Sequence, residues 1–351
     1  MRVRDIFFSG IGMYLPEIES VESAVARGLY AADDVASRGF SGATVAGDMP
    51  APEMALRAAR DALKNGGVSP GDLAALLYVS VWHQGPDGWG PQYYLQHHLV
   101  GDDLLAVEIR HGCNGTFSGI ELAAAILCAE PDRKAALVTA SDNFGTPLFR
   151  RWQPGSQSTV MGDGASAVVL TKDGGFAQLR SICTATYSSM EEAFRAGEPL
   201  FPPGVTEGRV LDFKTRYETF MEKVFAEGTE AEMLIGPKQR GMECANRALA
   251  EAEVKIDDIK RVIVHNIGKE DATAHLSMLG FSLRQSTWEY GSGIGHLGAS
   301  DHLASLHHLL ATGQLSPGDY VLLAGVAPGL TYKSAVVQIL DVPSWARSSR
   351  N

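Results

Sequence analysis

Cysteine is scarce in this 351-residue chain, and its four copies, Cys113, Cys128, Cys183 and Cys244, stand far apart with no paired spacing. That pattern speaks against a disulfide framework and a zinc-ribbon type of cluster, and it fits a reducing compartment. Positive charge is also in short supply. The chain sets 30 Lys and Arg against 41 Asp and Glu, a net charge of −11, which argues against nucleic acid or an anionic membrane as a partner of the whole protein. Long hydrophobic runs are missing near the start, where MRVRDIFFSGIGMYLPE is apolar only in pieces broken by glycine. Such pieces are too short for a signal peptide or a membrane span, so a cytoplasmic location is expected. Adjacent histidines occur (His97 and His98, His307 and His308), but no carboxylate or cysteine stands at ligand spacing beside them, and no metal is expected.

The remaining composition, 45% hydrophobic and 20% charged, is that of an ordinary globular protein long enough for two core-bearing units. The stretch Leu104 to Glu130, LLAVEIRHGCNGTFSGIELAAAILCAE, is its most informative part. An apolar, strand-like run to Ile109 gives way to His111-Gly112-Cys113-Asn114-Gly115 and then to an alanine- and leucine-rich helical segment. A thiol on a strand-to-helix turn sits at the positive end of the helix, where a thiolate is favoured. Cys113 is therefore a candidate nucleophile.

Internal repetition supplies its partners. Ala62 to Val79 matches Ala248 to His265 at an offset of 186 positions, and Lys134 to Ala140 parallels Asp319 to Gly325 at 185. Ser166 to Leu170 (SAVVL) resembles Ser334 to Gln338 (SAVVQ) at 168, so the first half carries a loop, roughly Asn143 to Thr159, that the second lacks. Each half alternates strands and helices, several strands being continuous apolar runs of the kind buried on both faces. An α/β duplication is expected, with halves 1–174 and 175–351. The same offset carries Cys113 onto Gly298, inside GIGHLGASD (293–301), a second glycine-rich turn ahead of a helix. Cys113, His265, His296 and Asp301 are thus predicted to converge across the duplication axis.

At these residues the chain resembles the ketoacyl synthase III-like branch of the thiolase superfamily. The resemblance runs from the IxGxGxYLPE-like opening through HGCNGxxSGI, GDGASAVVL at 162–170 and Val264-His265-Asn266 to Tyr332-Lys333-Ser334-Ala335. It implies a thiolase fold of five αβαβα layers, a homodimer, and a cysteine acylated by a coenzyme A or acyl carrier protein thioester. Condensing members of that family carry a cysteine, a histidine and an asparagine. Cys113 and His265 match the first two, whereas His296 occupies the asparagine position with Asp301 five residues on. Histidine can accept a proton and asparagine cannot, which moves the site towards general-base catalysis in a Cys-His-Asp arrangement. This resembles the acyltransferase offshoot of the family, which esterifies a hydroxyl of an antibiotic-type scaffold or sugar.

The expected course is ping-pong, with acyl-Cys113 as intermediate, His296 as base and Asp301 as its orienting group; His265 would activate the cysteine or bind the thioester carbonyl. No cofactor is expected beyond the phosphopantetheine or coenzyme A thioester donor. Arg150 and Arg151, with Trp152, lie near where the family places a nucleotide-contacting arginine and are the candidate donor-binding residues. Lys214 with Arg216 and Lys238 with Arg240 are further basic candidates. Trp82, Trp89, Tyr93 and Tyr94 are candidates to line a pocket for a flat aryl or short branched acyl group, or to pack in a dimer interface. The segment Glu191 to Arg216, including Phe201-Pro202-Pro203-Gly204, reads as an irregular insertion able to cover the acceptor entrance. Two alternatives stay open: a decarboxylative ketoacyl synthase, and a non-catalytic partner subunit.

Overall fold

A computed structural model describes residues 1–129, 132–153, 159–200 and 209–348. Its strands are β1 (Phe7–Tyr14), β2 (Ile18–Ser20), β3 (Gly42–Thr44), β4 (Leu73–Val79), β5 (Leu105–Ile109), β6 (Ala135–Asp142), β7 (Gly164–Thr171), β8 (Ala177–Thr186), β9 (Ile259–Ile263), β10 (Tyr320–Ala327) and β11 (Thr331–Ile339). β2 and β3 form a two-stranded ribbon, and the other nine pair in the order β5-β4-β6-β7-β1-β8-β11-β10-β9. Read outward from the short β1–β8 contact, β7, β6, β4 on one side answer β11, β10, β9 on the other. β5 has no counterpart, and residue 174 falls in the connection between β7 and β8. This mixed sheet flanked by helices is the α/β thiolase fold.

The unbroken apolar strands follow from burial on both faces. Along β4, Ala75, Leu77 and Val79 point into the central core while Leu76 and Tyr78 point into an outer one. β10 does the same, with Val321 and Leu323 central and Leu322 and Ala324 outward. Period-two alternation thus distributes hydrophobic side chains to three separate cores instead of to core and solvent. The central core holds the helices Gly115–Ala129 and Asp301–Ala311, through Phe117, Ile120, Leu127, Leu303, Leu306 and Leu310. Helix Ala51–Gly66 covers one outer face and helix Glu230–Ala252 the other. Helix, one half of the sheet, central helices, the other half of the sheet and helix make five layers.

Close approach of the first outer helix depends on glycine. A Cβ at Gly10 or Gly12 of β1 would stand 2.1 Å from the carbonyl oxygens of Ala62 or Ala58, so no other residue fits there without moving the helix. The stretch Gly112–Ala129 is long and apolar enough to cross a membrane by composition, yet it is the helix packed between the two sheet faces. β5 ends the sheet. Its Leu105 and Val107 remain 50% and 37% exposed, an unusual state for branched apolar side chains on an unpaired edge.

Candidate active site

The Cys113 turn is built by its neighbours. Gly112 adopts φ +52, a left-handed conformation that glycine takes without strain. A Cβ at Gly115 would lie 2.3 Å from Val79 Cγ1, so the helix can start against β4 only with glycine there. Asn114 Nδ2 donates to the Thr331 carbonyl at 2.9 Å, and Thr116 Oγ1 donates to the Ala299 carbonyl at 2.7 Å. These bonds fasten the turn to β11 and to the facing turn at 298–300.

That facing turn holds the other partners. The His296 N–H donates to the Val160 carbonyl at 2.7 Å, and the His296 carbonyl accepts from Gly162 at 3.0 Å. Its imidazole Nε2 is 3.0 Å from Cys113 Sγ, and its Nδ1 is 2.5 Å from Asp301 Oδ2. With Nδ1–H donating to the carboxylate, Nε2 is left to exchange a proton with sulfur. Asp301 opens its helix but serves groups outside it. Its Oδ1 accepts from Leu297 N at 2.7 Å and Asn266 Nδ2 at 3.0 Å, and its Oδ2 accepts from Asn266 N at 2.9 Å as well as from His296.

Asp301 is fully buried and His296 is 3% exposed, so their charges are worth more than at a surface. Burial pushes the Asp301 carboxyl upward, but the imidazoles of His296 and His265 outweigh it and hold the group well below the usual carboxylate range. For His296 burial opposes the imidazolium, and Asp301 together with Cys113 overrides it, raising the pKa well above the ordinary value. An imidazolium 3.0 Å from Sγ is the counter-charge that a thiolate nucleophile requires.

His265 lies behind this line. Its Nδ1 is 3.4 Å from Asp301 Oδ2, and its ring meets those of His296 and His302 edge-on at 5.2 and 4.5 Å. Burial lowers its pKa, which keeps it neutral. Histidine, histidine and aspartate within 4.8 Å resemble a metal-ligand set, but the four acceptor positions of the Asp301 carboxylate are already taken by N–H groups. The paired histidines pack instead: His307 stacks on Trp345 at 4.5 Å and His308 on Tyr290 at 3.9 Å.

Cys113 and His296 form part of the wall of a cavity of about 150 Å³ whose other walls include Trp82, Phe144, Phe149, Met161, Phe194 and Phe213. Trp82 and Phe149 meet edge to face at 4.9 Å. Pro328 lies in the same wall and has no N–H to offer an oxyanion. Of the four aromatics expected from the 82–94 stretch, Trp82 is in the cavity. Trp89 and Tyr93 are 40% and 60% exposed, and Tyr94 hydrogen-bonds the Glu53 carboxylate. Phe144, Phe149 and Met161 come from the first-half loop and its exit. Phe194, Leu211 and Phe213 come from the expected insertion, so that segment reaches the site; Phe201-Pro202-Pro203-Gly204 lies outside the described residues.

Arg151 corrects an expectation. It is 9% exposed and makes a two-pronged ion pair with Asp163, at 2.8 and 2.7 Å, plus bonds to the Thr44 and Met161 carbonyls. A guanidinium so committed is a structural tie and cannot also receive a nucleotide. Trp152 is likewise buried, against Tyr30. Arg150 is exposed, and its charge helps to hold the Asp212 carboxyl below its ordinary pKa. Arg216, Lys214 and Arg240 pair with Glu198, Glu218 and Glu243.

Comparison with known proteins identifies the family and the fold. The family model for 3-oxoacyl-[acyl-carrier-protein (ACP)] synthase III matches residues 107–188, and the model for its C-terminal part matches 249–339. The solved structure of the acyltransferase ChlB3 is 48% identical, spans 97% of this chain and 99% of its own, and superposes with a TM-score of 0.92. The β-ketoacyl-[acyl-carrier-protein] synthase III of Clostridium beijerinckii is 23% identical over 95% of this chain and 99% of its own. Acetoacetyl CoA synthase NphT7 of a Streptomyces is 25% identical over 84% and 85%. The 3-oxoacyl-(acyl carrier protein) synthase III of Pseudomonas aeruginosa, 19% identical with a TM-score of 0.75 over 97% of this chain and 99% of its own, shows the shared fold.

The Cys113–His296–Asp301 line predicts a reactive thiol. Iodoacetamide at neutral pH should alkylate Cys113 in the wild type and at least about tenfold more slowly in His296→Ala, read by intact mass. In Asp301→Asn the imidazolium loses its main support, so the alkylation profile should move to higher pH. Equal rates in all three proteins would show that the line does not activate the thiol.

Proposed function

The chain belongs to the 3-oxoacyl-[acyl-carrier-protein] synthase III family of the thiolase superfamily, and from that premise we propose that it is an acyltransferase of specialised, antibiotic-type metabolism. It takes an acyl group from an acyl carrier protein or coenzyme A thioester, holds it on Cys113, and passes it to a hydroxyl of a natural-product or sugar acceptor. The observation that carries this is His296, which hydrogen-bonds both Cys113 Sγ and the Asp301 carboxylate where condensing relatives have an asparagine. The likeness to an acyltransferase at 48% identity supports it.

Protons balance along this course. The Cys113 thiolate attacks the thioester carbonyl, with backbone N–H groups at the helix start facing the oxyanion, and the departing thiolate takes the proton of the His296 imidazolium. His296 is then neutral. It removes the proton from the acceptor hydroxyl as that oxygen attacks acyl-Cys113, and release of the ester restores thiolate and imidazolium. Asp301 keeps Nδ1 protonated throughout, and neutral His265 buttresses the carboxylate. A cavity of about 150 Å³ matches a benzene-sized guest, which fits a single-ring aryl or short branched acyl group. In this reading Arg150 meets the phosphates of the donor.

The exposed Leu105 and Val107 on the edge strand β5 fit a homodimer formed by edge-to-edge pairing. A cytoplasmic site of action fits the free cysteines. Condensation with a malonyl group is the second course, favoured by the named activities of the curated relatives.

Two outcomes test the proposal. With benzoyl-coenzyme A, the intact mass should rise by one acyl group on Cys113, and a chase with small alcohols should discharge it in the wild type but about 100-fold more slowly in His296→Ala; failure to load, or discharge indifferent to His296, would contradict it. Val107→Asp should convert a dimer to a monomer by light scattering. An unchanged mass would place the interface elsewhere.

A further inference from the structure

Asp142 closes β6 immediately behind the acyl cavity and takes no part in the steps above. It is 1% exposed. One oxygen, Oδ1, accepts three donors: Val81 N at 2.8 Å, Trp82 N at 2.7 Å and Gln84 Nε2 at 3.2 Å. Val81 and Trp82 are cavity-wall residues, so this carboxyl fixes the path of the chain where it leaves β4. The other oxygen, Oδ2, is buried without a hydrogen-bond partner. It lies against Gly298, where a Cβ would come within 2.7 Å of it, in the turn that carries His296 to Asp301.

A second aspartate makes the contrast. Asp163 holds the next cavity residue, accepting from Phe144 N at 2.7 Å, and its charge is matched by the Arg151 guanidinium. Among the described residues no Lys or Arg pairs with Asp142. The ionisable groups around it are Tyr78 on β4 with Glu108 beyond it on β5, Asp163 with Arg151 at the entry to β7, and His296 with Asp301 on the facing turn. Of these the cations are Arg151, which is committed to Asp163, and His296, which belongs to the turn that Oδ2 lies against.

We infer that Asp142 is a positioning residue that holds the Val81–Trp82 wall of the acyl cavity and whose charge supports the His296 imidazolium. Burial pushes its pKa up to about 7, against the two backbone N–H groups of Trp82 and Val81, so this carboxyl changes charge near neutral pH. When Cys113 is acylated and His296 becomes neutral, Asp142 loses its counter-charge and takes up a proton more readily. The wall and the base are thereby linked through one side chain. The effect on acyl loading rests on the acyltransferase proposal; the electrostatic link does not.

Two variants separate clamp from charge. Asn at 142 keeps an Oδ1 for the three donors and removes the charge, while Ala removes both. Cys113 alkylation by iodoacetamide is followed against pH, and KM is measured for acylation by benzoyl-coenzyme A. Asp142→Asn should move the alkylation profile to higher pH by about 0.5–1 unit, because the imidazolium is less supported. Asp142→Ala should raise the loading KM about tenfold, and Asn should restore it. An Asn profile superimposed on the wild type would overturn the inference, since a merely structural carboxyl leaves the profile in place. A shifted profile with no acyl loading in any protein would uphold the electrostatic link and instead refute the acyltransferase proposal.

Discussion

A single buried carboxylate organises the site. Asp301 has no solvent to stabilise its charge, and the protein substitutes N–H groups from Leu297, Asn266 and His296. Removing any one would leave a buried acceptor short of a donor, at a cost of about 1–3 kcal/mol. The same four bonds fix the imidazole plane, the tautomer, and hence the direction in which Nε2 meets Sγ. The geometry of the site and local folding are therefore one problem. The turn is ordered because the carboxylate is satisfied, and the carboxylate is satisfied because the turn is ordered.

The fold delivers the two turns to each other. Helices Gly115–Ala129 and Asp301–Ala311 run in the central layer, and each begins at a glycine-rich turn, so their N-termini bring Cys113 and Asp301 into the same neighbourhood. Thr116 ties one turn to the other. Both N-terminal helix ends favour negative charge, and the His296 ring lies between the Cys113 sulfur and the Asp301 carboxylate. The adjoining cavity is then closed by loops: Val81–Trp82 held by Asp142, Phe144 held by Asp163, and the insertion with Phe194 and Phe213.

Much of this was legible in the chain. Continuous apolar runs marked strands buried on both faces, and the repeat carried Cys113 onto Gly298, beside His296 and Asp301, because a duplicated fold places equivalent turns face to face. The cavity was not legible. Its lining comes from segments that share no periodicity, so Phe144, Phe149, Met161 and Phe213 carry no linear signal, while the aromatic-rich 82–94 stretch contributed Trp82 and sent Trp89 and Tyr93 to the surface. Arg151 looked like an anion-binding residue because a basic side chain in a loop gives no hint of a buried partner; Asp163, twelve positions on, claims it. His265 sat at the right strand end, yet its place behind Asp301 depends on the packing of three imidazoles, which spacing does not encode.

The central claim is that histidine in place of asparagine turns carbonyl binding into base catalysis. Its most direct measurement is a competition in a single turnover: acyl-Cys113 is offered a malonyl carrier and an alcohol together, and ester, ketoacyl product and released carbon dioxide are counted. The account predicts ester with no carbon dioxide, and loss of ester in His296→Asn. Carbon dioxide released in step with a ketoacyl product by the wild type would contradict it and return the protein to the condensing enzymes of its family.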